Sequence, residues 1–142
     1  MITREPIYAA LFAKLAGIGG FNTTSRRARI LSDVPQEEQP ALFVYQVNEM
    51  VNTVPSLESV HTLKADVIVY VWEEDESVSP SIKLNPLIDA IENALAPEML
   101  TNNKQTLGGL VEHCWIEGDI QTDEGVLGNQ ALAIIPILIK AV

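Results

Sequence analysis

Apolar positions in this chain recur with two periods, one belonging to strands and one to helices. The clearest alternation is "VHTLKADVIVYVW", residues 60–72. On an extended backbone His61, Leu63, Ala65, Val67, Val69 and Val71 share one side, and Thr62, Lys64, Asp66, Ile68, Tyr70 and Trp72 the other. The first set is nearly all apolar, so the spacing predicts a strand with that side on a core. "ALFVYQVNEMV", residues 41–51, is rich in β-branched and aromatic side chains and also predicts a strand. "TTSRRARILS", residues 23–32, alternates more weakly, with its arginines on both sides, and is read as a strand as well. Two further extended runs are expected at 109–120 and 130–139, joined by "QTDEGVLGN", whose glycines suit a hairpin connection or bulge. Pro136 lies inside the last run and is expected to place it at a sheet edge or at a bulge.

The helical period appears twice. Ile7, Leu11, Phe12 and Leu15 fall on one face of a segment with Thr3 as candidate N-cap, Pro6 in the first turn and "GIGG" at 17–20 as its stop. In "LNPLIDAIENALAP", Asn85 is the candidate cap, Pro86 suits the first helical position, and Leu87, Ile88, Ile91 and Leu95 form the apolar stripe. Ala96-Pro97 ends it. "SDVPQEEQP" and "EEDESVSPS" are polar connections. The order α-β-β-β-α-β-β predicts a single α+β domain over residues 1–142, with a mainly antiparallel sheet of four to five strands and two helices packed on one face.

Composition narrows the partners. The 142 residues carry nine Lys+Arg against nineteen Asp+Glu, a net charge of −10 that opposes binding to a phosphate backbone. Residues 1–32 hold Arg4, Lys14, Arg26, Arg27 and Arg29 against Glu5, a balance of +4; the rest holds four lysines against eighteen acids, or −14. Opposite patches of this kind suit head-to-tail pairing between copies. The most apolar stretch, "ALAIIPILIKAV", is far shorter than the roughly 20 residues of a membrane span. No basic segment leads into an apolar core at the N-terminus, so no secretory signal is expected. One cysteine cannot form an internal disulfide, which fits a reducing compartment.

The residues that invite a chemical reading gather in "GLVEHCWIEGDI", 109–120. In a strand, however, His113 and Cys114 point to opposite sides. His61 is the only other histidine, and no recognised ligand spacing joins the three. Cys114 is therefore expected in the core. Glu117, Asp119, Asp123 and Glu124 read as turn acids in an acidic protein. "GIGG" and "LGGL" lack phosphate-loop spacing. No catalytic, cofactor or metal residue is expected. The candidates left are charged groups: Arg26, Arg27 and Arg29 as salt-bridge partners or interface anchors, and Glu73, Glu74, Asp75 and Glu76 as an acidic loop that is solvated or paired across an interface.

"MITREPIYAALFAKLA", "SRRARILSDVPQEEQPALF", "LNPLIDAIENALAP" and "LGGLVEHCWIEGDIQTDEGVLGNQALAIIPI" resemble, in this order and over nearly the whole chain, the small tail terminator (tail completion) proteins of long-tailed bacteriophages, the lambda minor tail protein U-like family. The resemblance implies an α+β structural protein that forms a homohexameric ring on the tail tube. Such a ring ends tube polymerisation and offers a surface to the head's connector or stopper. Its partners would be itself, the tail tube protein and the connector or stopper, with DNA passing through the bore without specific binding and no membrane involved. It implies no enzyme activity and no cofactor, and a place at the tail–neck junction of the virion after assembly in the host cytoplasm. The alternatives are another head–tail joining component, a small thiol or metal enzyme using His113, Cys114 and His61, and an acidic partner-binding domain of the host.

Overall fold

The computed structural model describes residues 2–142, the side chains of Gly125 and Leu127 excepted. It contains α1 (Arg4–Ala16), β1 (Thr23–Ser25), β2 (Ala41–Asn52), β3 (Val60–Trp72), α2 (Ser81–Ala94), β4 (His113–Ile116), β5 (Gln121–Leu127) and β6 (Gln130–Ala141), with 3₁₀ turns at Leu31–Asp33, Gln36–Glu38 and Met99–Thr101. The α+β class and the mainly antiparallel sheet are as the pattern predicts, with six strands rather than four or five.

The sheet runs β1-β2-β3-β6-β4, and β5 pairs with β6 beside β4. β3 and β6 are aligned from His61↔Ala141 to Trp72↔Gln130 without interruption. Leu63, Ala65, Val67, Val69 and Val71 of β3, and Ala131, Ala133, Ile135, Ile137 and Ile139 of β6, are wholly buried under both helices. α1 contributes Ile7, Tyr8, Leu11 and Leu15 to this core, and α2 contributes Leu84 and Ile91. Both helices thus cover one face.

The opposite face is covered in part by the segment after β1. Only Thr23–Ser25 of the expected strand 23–32 pairs, in parallel with Ala41–Phe43. Leu31 and Val34 instead fold back onto Ala41, Phe43 and Tyr70 as a second, smaller core. Of the apolar residues in that run Leu31 packs here partly buried while Ile30 is exposed, and the buried Val34 comes from the segment expected as a polar connection.

Three other expectations are corrected. α2 starts at Ser81, so Asn85 is not its cap and Pro86 lies inside the helix. The lost donor leaves the carbonyl of Ile82 without its helical partner, and that residue is exposed, where solvent can satisfy it. Residues 121–127 are a strand, and the hairpin turn is Gly128-Asn129 alone, with Gly128 at φ 73°. β6 is an interior strand despite Pro136. Its partners on that side part at Pro136: β4 ends at Ile116, β5 begins at Gln121, and Glu117 N–H donates to the Pro136 carbonyl at 3.2 Å. In a strand the N–H and C=O of one residue point the same way, so the donor proline lacks would have faced this gap. Gly118 makes the gap possible: it sits at φ +113°, and a Cβ there would lie 3.3 Å from the proline ring.

Expected outcome: Ile137→Ala, wholly buried between β3 and β4, lowers unfolding free energy by about 2–5 kcal/mol. Leu138→Ala, on the half-covered opposite face, lowers it by clearly less. Denaturant melts of both variants check the assignment of faces.

Candidate functional site

The suspected chemical residues do not converge. Cys114 is wholly buried in the core beneath the helices, and burial pushes its thiol up to about 12, so it is protonated at neutral pH. His113 points to the other side of β4, stacks on Trp115 with ring centroids 4.9 Å apart, and accepts at Nδ1 from the Gln105 N–H at 3.0 Å. His61 lies two strands away, with β6 between. Its Nδ1 is 2.7 Å from Glu49 Oε2. Among the described residues no three His, Cys, Asp or Glu side chains are grouped so as to hold a metal ion.

Glu49 is the centre of a charged knot that sequence spacing does not reveal. Arg4 grips it with two bonds of 2.7 Å, Nε to Oε1 and Nη2 to Oε2. These hydrogen bonds, helped by His61, hold the Glu49 carboxyl at about 2, well below its ordinary 4.5. The knot ties the first turn of α1 to the outer half of β2.

The arginines expected to act together play three different parts. Arg26 is paired with Glu5. Arg29 is paired with Glu38 at 2.9 Å, lies 5.5 Å above the Phe43 ring, and its carbonyl accepts from the Tyr70 hydroxyl at 2.8 Å. Arg27 is exposed, and among the described residues it makes no ion pair. Arg4 and Lys14 are also engaged, with Glu49 and Glu98. The basic character of residues 1–32 is therefore largely neutralised within the chain, and Arg27 is what remains of it.

The acidic loop divides in the same way. Glu73 pairs with Lys83 at 3.2 Å and accepts from the Asp75 N–H at 3.1 Å. Asp75 takes both the N–H and the hydroxyl of Ser77, at 2.9 and 2.6 Å. These bonds lower both carboxyls. Glu74 and Glu76 are exposed and make no ion pair among the described residues.

A site that the sequence did not announce lies at the β4 edge. Asp89, Glu92, Asn93, Leu95, Ala96 and Pro97 of the α2 end face His113, Trp115 and Ile116 across a groove of about 470 Å³. Gln105 links its two walls. Its backbone flanks β4, taking the Cys114 N–H at 2.8 Å and giving its own N–H to His113. Its buried side chain donates to the Ala96 carbonyl at 3.0 Å and accepts from the Leu107 N–H at 3.2 Å. One glutamine thus joins the end of α2 to the edge strand. The acids of the groove, Asp89 and Glu92, are exposed and form no ion pair among the described residues.

No protein-family model and no curated protein sequence matches this chain.

Two outcomes follow from this geometry. Cys114 should be silent toward a thiol reagent in the folded protein and react fully in denaturant; rapid labelling under native conditions would contradict its burial. The Glu49 knot stabilises the fold above the ordinary carboxylate range, and its contribution is lost as pH falls from about 4.5 toward about 2. Glu49→Gln should therefore be less stable than the unaltered protein at neutral pH, with the gap closing across that window. Equal gaps at pH 7 and near pH 2 would show the knot to be energetically idle.

Proposed function

We propose that this chain is a structural virion protein that assembles into a ring on the phage tail tube, ends tube polymerisation, and offers the surface for head–tail joining. The observation that supports this most is the arm formed by the outer half of β2 and the turn that leads into β3. Beyond Gln46 the β2 residues are mostly exposed, and Val47, Met50, Val51, Val54 and Leu57 present apolar side chains to solvent there. Apolar side chains gathered on an exposed sheet edge and its turn are suited to a partner. Val51 lies on the helix side and Met50 on the other, so both faces of the arm are apolar.

The remaining features are consistent with a structural role. The lone thiol is buried and protonated, and the charged residues are tied into pairs or solvated. An acidic subunit repeated around a bore would let a DNA duplex slide, because each phosphate neutralised would add affinity and friction. In this reading the protein has no catalytic role and no cofactor, its partners are its own copies, the tube protein and the connector or stopper, and its place is the tail–neck junction.

Negative-stain microscopy of the purified chain, alone and with tube protein, should show six-fold rings; monomers in both conditions would sink the reading. Val51→Asp with Leu57→Asp should abolish the rings while changing folding stability by only about 0.5 kcal/mol, since both positions are exposed. Loss of the gene should give overlong or unjoined tails. Heads leaking DNA beside finished tails would instead identify a stopper or adaptor.

A further inference from the structure

We propose that the groove between the end of α2 and β4 receives Arg27 of a second copy of this chain, and that this contact joins neighbouring subunits head to tail. The proposal rests on the ring reading and names the contact that would build the ring.

The sheet order carries the argument. Arg27 follows β1 by two residues at one end of the sheet, while the groove flanks β4 at the other, with β2, β3 and β6 between. Arg27 cannot reach its own groove, so any such contact lies between copies. A patch that meets a different patch on its neighbour propagates in one direction and closes into a ring when the rotation allows.

Charge complementarity selects the occupant. Seven of the nine lysines and arginines are engaged in ion pairs within the chain, leaving only Arg27 and Lys64 among the described residues. Arg27 is the exposed one, on a loop fixed by its own N–H donating to Ser25 Oγ at 2.9 Å. In the groove, Asp89 and Glu92 are three residues apart on α2, so both carboxylates stand on one helical face. The opposite wall is the stacked His113–Trp115 pair. Carboxylates on one side and an aromatic plane on the other suit a guanidinium, which takes paired hydrogen bonds in its plane and stacks on its face. Apolar surface lies beside both halves. Ile30 is 66% exposed near Arg27, and Met99 and Leu100, just past the groove residues Ala96 and Pro97, are 88% and 100% exposed. An arginine anchor ringed by apolar contacts is the usual composition of an interface centre.

Sedimentation velocity across a wide concentration range tests the contact on the full-length chain. Arg27→Glu should weaken self-association tenfold or more, and Asp89→Lys with Glu92→Lys should do the same. The variant carrying all three changes should recover association, since the charges are exchanged. Circular dichroism melts should match the unaltered protein, because none of these side chains has an ion-pair partner among the described residues of its own chain. Unchanged association of Arg27→Glu, or no recovery in the triple variant, overturns the proposal and leaves the ring reading standing. A chain that stays monomeric alone yet forms rings with tube protein also overturns it without touching that reading. No rings under either condition sinks both.

Discussion

The fold depends on the unbroken pairing of β3 with β6, the only two long strands with neighbours on both sides over most of their length. Their inward residues are small or β-branched: Ala65, Val67, Val69 and Val71 against Ala131, Ala133, Ile135 and Ile137. Such side chains make a flat, densely filled surface on which two helices lie side by side. Everything else is arranged about that slab. α1 and α2 close its inner face, and the 3₁₀ segment with Val34 closes part of its outer face.

A sheet built outward from a central pair has to deal with its two ends, and this chain treats them differently. At the β1 end only three residues of β2 find a neighbour, so the outer half of β2 keeps a free edge. Its register slips between Gln46 and Asn48, and that irregularity twists the edge away from simple strand addition. At the β6 end the covering strand is split into β4 and β5 around Pro136, and Gln105 shields β4 beyond it. The arrangement favours contacts by side chains over contacts by open backbone. That is a reason to seek the partner surface in a groove and an arm rather than in a continued sheet.

Much of this was legible in the sequence where one physical signal dominated. The strand at 60–72 falls where alternation places it, because one of its faces is wholly buried. α1 likewise follows its apolar spacing, although Thr3 makes no side-chain capping bond. The reading failed where two signals competed. Proline and asparagine at 85–86 mimic a helix start, but the apolar Leu84 needed by the core pulls the helix back to Ser81. The glycines and acids of 121–129 mimic a loop, while β6 offered an unpaired edge that a strand of almost any composition could use. Pro136 mimics an edge strand, and only the gap opposite it, set by Gly118, makes an interior place tolerable. The candidate site was least legible, since what separates Arg27 from Arg26 and Arg29 is the presence of acids 21 and 9 residues away in sequence. The groove was invisible for the same reason: its two walls, the end of α2 and β4, are about 20 residues apart in sequence and are brought together only by the fold.

The pairing of charges gives the molecule a direction. Counting residues suggested a basic front and an acidic body, yet folding spends Arg4, Lys14, Arg26 and Arg29 on Glu49, Glu98, Glu5 and Glu38. A diffuse positive patch would bind acidic surfaces in many orientations, including those of wrong partners. One exposed arginine left unpaired among the described residues, on a body otherwise rich in unpaired acids, has far fewer productive orientations, because like charge on the two copies repels any approach that does not seat it. In the proposed assembly net charge would supply discrimination and the apolar arm contact area, a division of labour that suits association between copies in a single register.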